Sequence, residues 1–417
     1  MYKYVIEKSP PLSGEIFVSG SKNAALPIMC ATILTDGVVT LKNIPHLTDI
    51  ENMCDILRHL GSDINFSKNV LTIYNSDIKK YCIPYELASK LRGSVLLAGP
   101  LVSKCQKARI TLPGGCPIGT RPIDLHLKGL ALLGVKITQG NGYIDLKAKT
   151  LKGAKIYLDY KSVGATENIM MASVLACGTT IIQNASSEPE VIDLANFLIK
   201  CGAKIKGAGT DEIIIEGVTS LKPTTYSIIP DRIEAGTFMV ASLITGGDVL
   251  IKNVIEEHLS PITAKLKESG AKLDFSGDSI RICSPEKLKS IDIKTMPHPG
   301  FPTDMQALMM SLLCICDGTS IISETVFENR FLHAPELLRM GASIKTEGKI
   351  AVIEGCKQLT GTKVKATDLR AGAALSVAAL NAKGKSEISD IYHIERGYEN
   401  FEGKLEKLGV KIIKKKV

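Results

Sequence analysis

The chain has 417 residues, enough for two or three domains with substantial cores. Lys and Arg number 51 against 43 Asp and Glu, and the formal net charge of +8 favours anionic ligands without requiring nucleic acid. Hydrophobic residues make up 45% and charged residues 23%, a globular composition that excludes disordered and fibrous proteins. An aromatic content of 5% argues against an RNA-binding protein that stacks bases.

Cysteine spacing and hydropathy indicate the cellular compartment of the protein. The 11 cysteines form no CxxC pair, so we predict neither a disulfide framework nor a zinc site, and reduced thiols in the cytoplasm. The first eight residues lack the apolar core of a signal peptide. The most apolar stretches, 94–102 and 308–316, are far shorter than the roughly 20 residues of a membrane span. We expect a soluble protein with no membrane partner.

One short pattern occurs six times along the chain. It consists of a glycine, a small or β-branched residue, a polar residue and an aliphatic residue. The glycines are Gly61, Gly134, Gly202, Gly270, Gly341 and Gly409, at intervals of 68 to 73 residues. Because glycine readily adopts positive φ after the last helical turn, each copy predicts a helix that ends at the glycine and a strand that follows.

Two helices are predicted in each unit. The helix before the repeated glycine is amphipathic: in the first copy Thr48 can act as the N-cap. The apolar face of that helix consists of Ile50, Met53, Ile56, Leu57 and Leu60. A second helix lies further upstream and is apolar nearly all round, which predicts burial. The six buried helices are predicted at 24–34, 94–102, 165–176, 235–244, 305–315 and 371–380.

The repeats predict an α/β fold built from six equivalent units. A solenoid is the alternative, but a period of ~70 residues exceeds the usual 20–50 residues of solenoid repeats. Two compact domains of three units each are therefore the favoured architecture. Four cysteines fall in apolar helical stretches and are expected to be inert core residues. They are Cys30, Cys177, Cys314 and Cys316.

The residues before the buried helices are candidates for anion binding. A helix N-terminus offers free N–H groups and a partial positive charge. Ser, Thr and Asp at these positions have an alternative explanation, because they are ordinary N-caps. Lys22, Arg92 and Arg370 are harder to explain by capping, since a cation at a helix N-terminus opposes the helix dipole.

The segment 112–124 carries three prolines and three glycines and is predicted to be an exposed loop. It presents the thiol of Cys116 and the guanidinium of Arg121. Cys116 is either functional or a spectator on the loop, and the residues alone leave both readings open. No phosphate-binding loop, dinucleotide fingerprint or nucleophile motif occurs, and His298 and His333 lack partners at metal-ligand spacing. We expect neither a cofactor nor a metal ion.

Several segments resemble signatures of the bacterial enolpyruvyl transferases that act on UDP-N-acetylglucosamine. The resemblance covers the whole chain. The matching segments are 19–27, 112–116, 162–166, 230–234, 301–306, 324–331, 366–370 and 393–398. It implies the family's inside-out α/β barrel, with two domains of three units. It also implies domain limits of 1–20 with 230–417 for the first domain and 21–229 for the second, with the active site in the cleft between them.

The resemblance implies a reaction between two small molecules and no nucleic acid partner. The enolpyruvyl group of phosphoenolpyruvate moves to the 3′-hydroxyl of UDP-N-acetylglucosamine, with loss of phosphate, by addition and elimination through a tetrahedral ketal. By resemblance Cys116 delivers a proton to C3 of the enol, and a free thiol is mostly protonated at neutral pH. Asp304 matches the carboxylate beside the sugar hydroxyl, where it can act as a base.

The remaining site residues are carried over from the same motifs. Those for phosphoenolpyruvate are Lys22, Asn23, Arg121, Arg370 and Arg396. Those for the nucleotide sugar are Arg92, Arg121, Pro122, Ile123, Asp124, Leu125, Ser162, Val163, Gly164, Asp304 and Val326. Supporting residues are Asp231, Arg330 and Asp368. One departure is Tyr160, which stands where some relatives carry a lysine, so a phosphate contact by Tyr160 or the adjacent Lys161 is in doubt.

Two rival functions stay open. The related enolpyruvyl transferase that acts on shikimate 3-phosphate shares the Gly20–Lys22 portion but has no counterpart of the Cys116 loop. A non-catalytic nucleic acid binder would exploit the +8 charge, but the cations are dispersed rather than clustered. The resemblance further implies roles in cell wall synthesis, cell shape and cell division, and alkylation of Cys116 by the epoxide antibiotic fosfomycin.

Overall fold

The computed structural model describes residues 2–75, 78–111, 119 and 122–416. The described residues separate into two units, each with its own internal contacts. The first consists of residues 2–19, 119 and 230–416, and the second of residues 20–75, 78–111 and 122–229. Each unit has its own hydrophobic core, and the buried residues of one core all come from a single unit.

Strands occur throughout both units. In chain order they are β1 (Tyr2–Glu7), β2 (Ser13–Phe17), β3 (Gly37–Lys42), β4 (Asp63–Ser67), β5 (Val70–Asn75), β6 (Lys107–Thr111), β7 (Lys136–Gly140), β8 (Tyr143–Lys147), β9 (Lys155–Tyr157), β10 (Thr179–Gln183), β11 (Lys204–Lys206), β12 (Glu212–Glu216), β13 (Thr225–Ser227), β14 (Asp248–Lys252), β15 (Lys272–Ser276), β16 (Ser279–Cys283), β17 (Ile293–Lys294), β18 (Thr319–Ser323), β19 (Ser343–Glu347), β20 (Ile350–Glu354), β21 (Lys363–Lys365), β22 (Lys385–Ser389) and β23 (Ile412–Lys416).

The helices alternate with these strands. They are α1 (Lys22–Ala31), α2 (Thr48–Leu60), α3 (Tyr85–Ala88), α4 (Ala98–Cys105), α5 (Asp124–Leu132), α6 (Val163–Ser173), α7 (Pro189–Lys200), α8 (Arg232–Ile244), α9 (Glu256–Glu268), α10 (Gln306–Leu313), α11 (Ala334–Arg339), α12 (Leu369–Asn381), α13 (Tyr392–Glu395) and α14 (Phe401–Lys407). Short 3₁₀ helices cover Thr32–Leu34, Arg92–Leu97 and Thr303–Met305.

The described strands form six sheets, three in each unit, which matches the six sequence repeats. Five sheets have four strands joined by two antiparallel pairings and one parallel pairing, as in β13-β3-β5-β4. The sixth, β6-β8-β7, has the two antiparallel pairings and an isolated parallel bridge from Cys82 to Arg109. This regularity confirms the predicted α/β fold of repeated units.

The repeated glycines end helices as predicted. All six have positive φ, between 87° and 118°. Gln106, directly before β6, also has a positive φ, of 59°. Thr48 corrects one prediction: it is the first residue of α2, and the helix has no side-chain N-cap. The predicted apolar face of α2 is buried throughout.

The predicted apolar helices are the buried ones. In α8, for example, every residue from Ile233 to Ile244 is buried, and α10 and α12 are its neighbours in the first unit. In the second unit α1 lies against α7 and α2, and α4 lies against α6. Because these helices are buried, their N-terminal ends are the parts that can present polar groups to a ligand.

The thiols follow the prediction with one exception. Cys30, Cys314 and Cys316 are buried, but Cys177 is exposed, because α6 ends at Ser173 and the chain has already turned toward β10. Among the described residues every cysteine is free, and no cluster of His, Cys, Asp or Glu has a metal-binding arrangement. No described helix is long and apolar enough to span a membrane.

A buried polar network holds Ser19, the last residue before the chain leaves the first unit. The ammonium of Lys404 donates to Ser19 Oγ at 2.7 Å and to Glu234 Oε1. The Ser19 backbone N–H donates to Glu234 Oε2 at 3.3 Å, and its hydroxyl donates to Glu399. Burial raises the pKa of Glu234 to about 7, although Lys404 acts to lower it.

Candidate active site

The predicted site residues are divided between the two units. Cys116 and Arg121 lie outside the described residues. The second unit contains Lys22, Asn23, Arg92, Pro122, Ile123, Asp124, Leu125, Ser162, Val163 and Gly164. The first unit contains Asp231, Asp304, Val326, Arg330, Asp368, Arg370 and Arg396. Each group is described by itself below.

Asp304 lies at the centre of the group in the first unit, in the 3₁₀ turn before α10. Arg330 Nη2 donates to its Oδ1 at 2.9 Å, and Arg370 donates to its Oδ2 from Nε at 3.2 Å and Nη2 at 3.0 Å. The Arg330 and Arg370 side chains are only 3% and 4% exposed, whereas Asp304 is 26% exposed. Two buried guanidiniums therefore hold a partly accessible carboxylate in place.

Arg370 is fixed from several directions. It is the second residue of α12, whose N-cap Asp368 accepts the backbone N–H groups of Arg370 and Ala371 at 2.9 and 3.1 Å. Its guanidinium lies 5.3 Å from the ring centre of Tyr398. Burial acts to lower the pKa of Arg370, but Tyr398, Asp304 and Asp231 more than reverse this. Nη1 of Arg370 is buried without a hydrogen-bond partner among the described residues, so it can donate to an anion.

Asp231 supports the same group. It is the N-cap of α8 and accepts the backbone N–H groups of Ile233 and Glu234 at 2.8 and 3.0 Å. Thr237, one turn further along α8, is hydrogen-bonded to the hydroxyl of Tyr398 at 2.9 Å. The α8 N-terminus thus fixes the ring on which Arg370 rests.

Val326 belongs to a loop that the buried carboxylate of Glu324 organises. Oε1 of Glu324 accepts the N–H groups of Val326 and Phe327 at 2.8 and 3.1 Å. Oε2 accepts the hydroxyl of Thr303 at 2.9 Å, next to Asp304 in the chain. Val326 itself is exposed and can contact a ligand.

Two histidines lie beside Asp368. Burial and the charge of Arg396 lower the pKa of His393, and Asp368 acts in the opposite sense. His333 is 1% exposed, and neither ring nitrogen has a hydrogen-bond partner among the described residues. Burial lowers the pKa of His333 to about 4, despite Asp368. Both rings are therefore neutral at pH 7.

In the second unit, Lys22 and Asn23 begin α1. Ser21 is the N-cap, and its hydroxyl accepts the Ala24 N–H at 3.4 Å. Lys22 is buried, and its ammonium donates to Asp49 at 3.0 Å. Asn23 is exposed. The predicted cation and amide are thus adjacent, but the cation has a carboxylate partner, Asp49, that was not predicted.

A second group surrounds His126 in α5. Its Nδ1 lies 3.0 Å from Asn168 Nδ2. Burial lowers the pKa of His126 to about 4, the charge of Arg92 lowers it further, and Asp124 acts to raise it. A Cβ built on Gly164 would approach the His126 ring to 3.1 Å, so glycine permits this contact. Arg92, Asp124 and Gly164, which belong to separate motifs, therefore meet here.

The segment before α6 contains Tyr160, which stands where some relatives carry a lysine. Ser162 is the N-cap of α6 and accepts the Ala165 N–H at 3.4 Å. The hydroxyl of Tyr160 donates to Asp124 at 3.3 Å, and Lys161 donates to Asp211 at 2.6 Å. Tyr160 thus contacts the predicted site residue Asp124, whereas Lys161 forms an ion pair with Asp211.

Several residues of these groups were not found by sequence reasoning. Asp49 falls in a helix whose cap and apolar face were already explained, so it gave no separate signal. Glu324 and Tyr398 lie in two of the matching segments, but no role was assigned to them. His126 was not singled out, and His333 was considered only as a metal ligand, for which it lacked a partner at the required spacing. Chemically, the first-unit group offers a carboxylate base with cationic donors, and the second-unit group offers cations and amide donors.

Comparison with known proteins is consistent with this chemistry. The family model for EPSP synthase (3-phosphoshikimate 1-carboxyvinyltransferase) matches residues 6–405. A protein named UDP-N-acetylglucosamine 1-carboxyvinyltransferase 1, from Caldanaerobacter subterraneus subsp. tengcongensis, is 55% identical over 413 residues, 99% of both chains. A UDP-N-acetylglucosamine 1-carboxyvinyltransferase from Geotalea daltonii is 51% identical over 412 residues, again 99% of both.

Solved structures show the same fold. The enolpyruvyl transferase NikO from Streptomyces tendae superposes with a TM-score of 0.92 at 26% identity, over 100% of this chain and 99% of that one. EPSP synthase from Acinetobacter baumannii superposes with a TM-score of 0.78 at 20% identity, over the full length of both. The chain belongs to the EPSP synthase family of enolpyruvyl transferases, and its sequence relatives within that family carry the name UDP-N-acetylglucosamine 1-carboxyvinyltransferase.

Proposed function

We propose that the chain transfers the enolpyruvyl group of phosphoenolpyruvate to the 3′-hydroxyl of UDP-N-acetylglucosamine with release of phosphate, as the first committed step of peptidoglycan precursor synthesis. The observation that carries the proposal is the identity of 51–55% over 99% of the chain to relatives named for this transfer. The Asp304 cluster supports it, because the reaction needs a carboxylate base beside cationic donors.

Phosphoenolpyruvate brings a phosphate and a carboxylate to the site. Lys22, Arg121, Arg370 and Arg396 are proposed to bind these anions, and Asn23 to donate a hydrogen bond near the reacting carbon. The buried, unpartnered Nη1 of Arg370 supports this assignment, since a buried guanidinium nitrogen without an acceptor is costly unless a ligand supplies one.

The nucleotide sugar is proposed to contact the motifs that flank α5 and α6, together with Val326. The residues are Arg92, Arg121, Pro122, Ile123, Asp124, Leu125, Ser162, Val163 and Gly164. The grouping of Arg92, Asp124 and Gly164 around His126 supports this, because motifs distant in sequence share one place in the second unit. The domain limits of 1–20 with 230–417 and 21–229, and a cytoplasmic location, stay predictions.

The proposed chemistry has two stages. In the addition, the 3′-hydroxyl oxygen bonds to C2 of phosphoenolpyruvate, its proton passes to Asp304, and C3 gains a proton that we assign to Cys116. In the elimination, the bond from C2 to the phosphate oxygen breaks and phosphate leaves with the electron pair and the proton held by Asp304. C3 returns a proton to the Cys116 thiolate, and the enol double bond re-forms. A carboxylate offers about four lone-pair sites, so Asp304 can accept the sugar hydroxyl in addition to the bonds from Arg330 and Arg370.

The experiment is phosphate release from phosphoenolpyruvate with and without UDP-N-acetylglucosamine, for the wild type and Cys116→Ser. Release that requires the nucleotide sugar and collapses in the variant is expected. Release that survives the substitution would retain the transfer and remove Cys116 as proton donor. Turnover with shikimate 3-phosphate in place of the nucleotide sugar would assign the chain to the other branch of the family, and no release at all would refute the proposal.

The same thiol predicts the response to fosfomycin. Opening of the epoxide by the Cys116 sulfur would add one antibiotic molecule to the protein and block proton delivery. We therefore expect stoichiometric alkylation, a matching gain in protein mass and loss of phosphate release. Cys116→Ser should gain no mass, and an unmodified wild type in excess fosfomycin would contradict the assignment.

A further inference from the structure

Lys22 and Asp49 form a buried ion pair in the second unit. The ammonium nitrogen lies 3.0 Å from Asp49 Oδ2, and the two side chains are 10% and 3% exposed. A charge removed from water to this degree is strongly disfavoured unless an opposite charge offsets it. The pairing explains how a buried amine can remain an ammonium.

The helix N-termini act in opposite ways on the two charges of this pair: one disfavours the Lys22 ammonium and the other stabilises the Asp49 carboxylate. Lys22 is the first residue of α1, where the partial positive charge of the helix N-terminus opposes a cation. Asp49 is the second residue of α2, where the same partial charge stabilises an anion. Asp49 is therefore stabilised by its own helix, and it compensates a lysine that its helix disfavours.

Other charged groups stand on the elements that lie against α1. Glu51, Asp55 and Arg58 belong to α2 with Asp49. Further charged groups on neighbouring elements are Arg92 in the 3₁₀ helix, Glu167 in α6, and Glu188, Glu190 and Asp193 at the start of α7. Within this charged surrounding, the carboxylate of Asp49 bonds to the Lys22 ammonium at 3.0 Å.

We propose that Asp49 is a positioning residue for phosphoenolpyruvate binding, because it keeps Lys22 charged and directs its ammonium to the substrate anion. An ammonium group has three N–H donors, so a bond to Asp49 is compatible with a bond to phosphate or carboxylate. The inference deepens the proposed function and rests on it, and it assigns to Asp49 a role that acts only through Lys22.

The test compares Asp49→Asn, Asp49→Glu and Asp55→Asn. Asp55 is an exposed carboxylate on the same helix, paired with Arg58, so its variant is the matched control. In Asp49→Asn we expect the KM for phosphoenolpyruvate to rise about 10-fold or more at pH 7.5, with a smaller change in kcat, because a ground-state contact is weakened. We also expect the alkaline decline of kcat/KM to begin at a lower pH in Asp49→Asn than in the wild type. Asp49→Glu should restore part of both, and Asp55→Asn should match the wild type.

A structural role would give a different result. If Asp49→Asn loses kcat/KM by the same factor at every pH, with a lower melting temperature and an unchanged KM, the inference is wrong. Wild-type kinetics in Asp49→Asn would overturn it as well.

A second measurement does not depend on turnover. Acetic anhydride acylates only neutral amines, so the rate of Lys22 acetylation against pH, followed by peptide mass spectrometry, reports its charge. The reaction should begin at a lower pH in Asp49→Asn than in the wild type and Asp55→Asn. An unshifted profile would refute the charge pairing. If the acetylation profile of Asp49→Asn is shifted but the wild type releases no phosphate, the proposed function is refuted. The role of Asp49 in substrate binding is then refuted as well, while the charge pairing with Lys22 stands.

Discussion

The guanidinium of Arg370 binds Asp304 through two nitrogens, Nε at 3.2 Å and Nη2 at 3.0 Å from the same carboxylate oxygen. With Arg330 on the other oxygen, Asp304 neutralises part of the charge of two buried cations. Its structural role and its proposed catalytic role are therefore coupled, because removing the proposed base also removes the counter-ion of both guanidiniums.

Asp304→Asn should lose both activity and stability. The variant leaves Arg330 and Arg370 buried without their carboxylate, and breaking a buried pair typically costs about 3–5 kcal/mol. We expect phosphate release to fall by about 100-fold or more, in the range for loss of a general base. Denaturant unfolding and the phosphate assay measure the two effects.

Asp248→Asn is the control for that variant. Arg281 binds Asp248 through Nε at 2.8 Å and Nη2 at 2.6 Å, but the side chains are 61% and 44% exposed. Exposed pairs contribute about 0–1 kcal/mol, so this variant should keep stability and activity. Equal destabilisation by the two substitutions would show that burial does not set the strength of the Asp304 pairs.

His333 predicts acid sensitivity of the first unit. Its folded pKa of about 4 lies below the 6.5 of a free histidine. The unfolded chain therefore binds a proton more readily, and folding free energy is lost as pH falls from 6.5 through 4. His333→Leu should remove about 2–3 kcal/mol of that loss, since one pKa unit corresponds to about 1.4 kcal/mol. Urea unfolding at pH 7 and pH 4.5 measures it.

The control for His333 is His59→Leu, at a half-buried position of α2. It should leave the acid-dependent loss of stability as large as in the wild type. An unchanged pH dependence in His333→Leu would contradict the prediction. His126 has the same folded pKa of about 4, so the second unit should show a parallel acid sensitivity.

Glu234 predicts the opposite pH dependence. Its folded pKa of about 7 lies above the value of 4.5 for a free glutamate. Protonated Glu234 therefore favours the folded state, and this contribution is complete below pH 4.5 and lost as pH rises through 7. Between pH 4.5 and pH 8 the unfolding free energy of Glu234→Gln should gain about 3 kcal/mol relative to the wild type. Parallel curves in chemical denaturation would refute this.

Gly20→Ala should prevent correct folding near the start of α1. A Cβ at this position would lie 1.7 Å from the backbone oxygen of Asn43, well inside van der Waals contact. Relieving such a clash requires backbone displacement, and we expect a loss of about 3 kcal/mol or insoluble protein. Gly140→Ala is the matched control, since its Cβ would meet nothing within 4 Å. Thermal unfolding of the two variants makes the comparison, and near-equal melting temperatures would contradict the geometry.

The repeat pattern was enough to predict the helices, strands and left-handed glycines, because each depends on local periodicity and backbone conformation. The pattern was wrong in details of where individual helices begin and end. Thr48 was predicted to be the N-cap of α2, but the helix begins at Thr48 and has no side-chain cap. Cys177 was assigned to a helix that ends four residues earlier.

The candidate site was less predictable than the fold. The residues with cations or carboxylates near helix N-termini could be named, but not their pairings. Asp304 meets Arg330 and Arg370 across sequence separations of 26 and 66 residues, and Lys22 meets Asp49 across 27. Such contacts depend on how helices and loops of successive repeats are placed, which periodicity does not encode. The neutrality of His126 and His333 likewise follows from burial in three dimensions.

The position of β1 bears on the order of assembly during synthesis. It lies between β22 and β23, where Tyr4 is opposite Ile388 and Lys414. Residues 20–229 of the second unit have all been made when the ribosome reaches residue 230, so that unit can fold early. Both edges of β1 stay unpaired until β22 and β23, almost a full chain length away, have been synthesised. A nascent chain that stalls between these points would expose an aggregation-prone strand at its amino end.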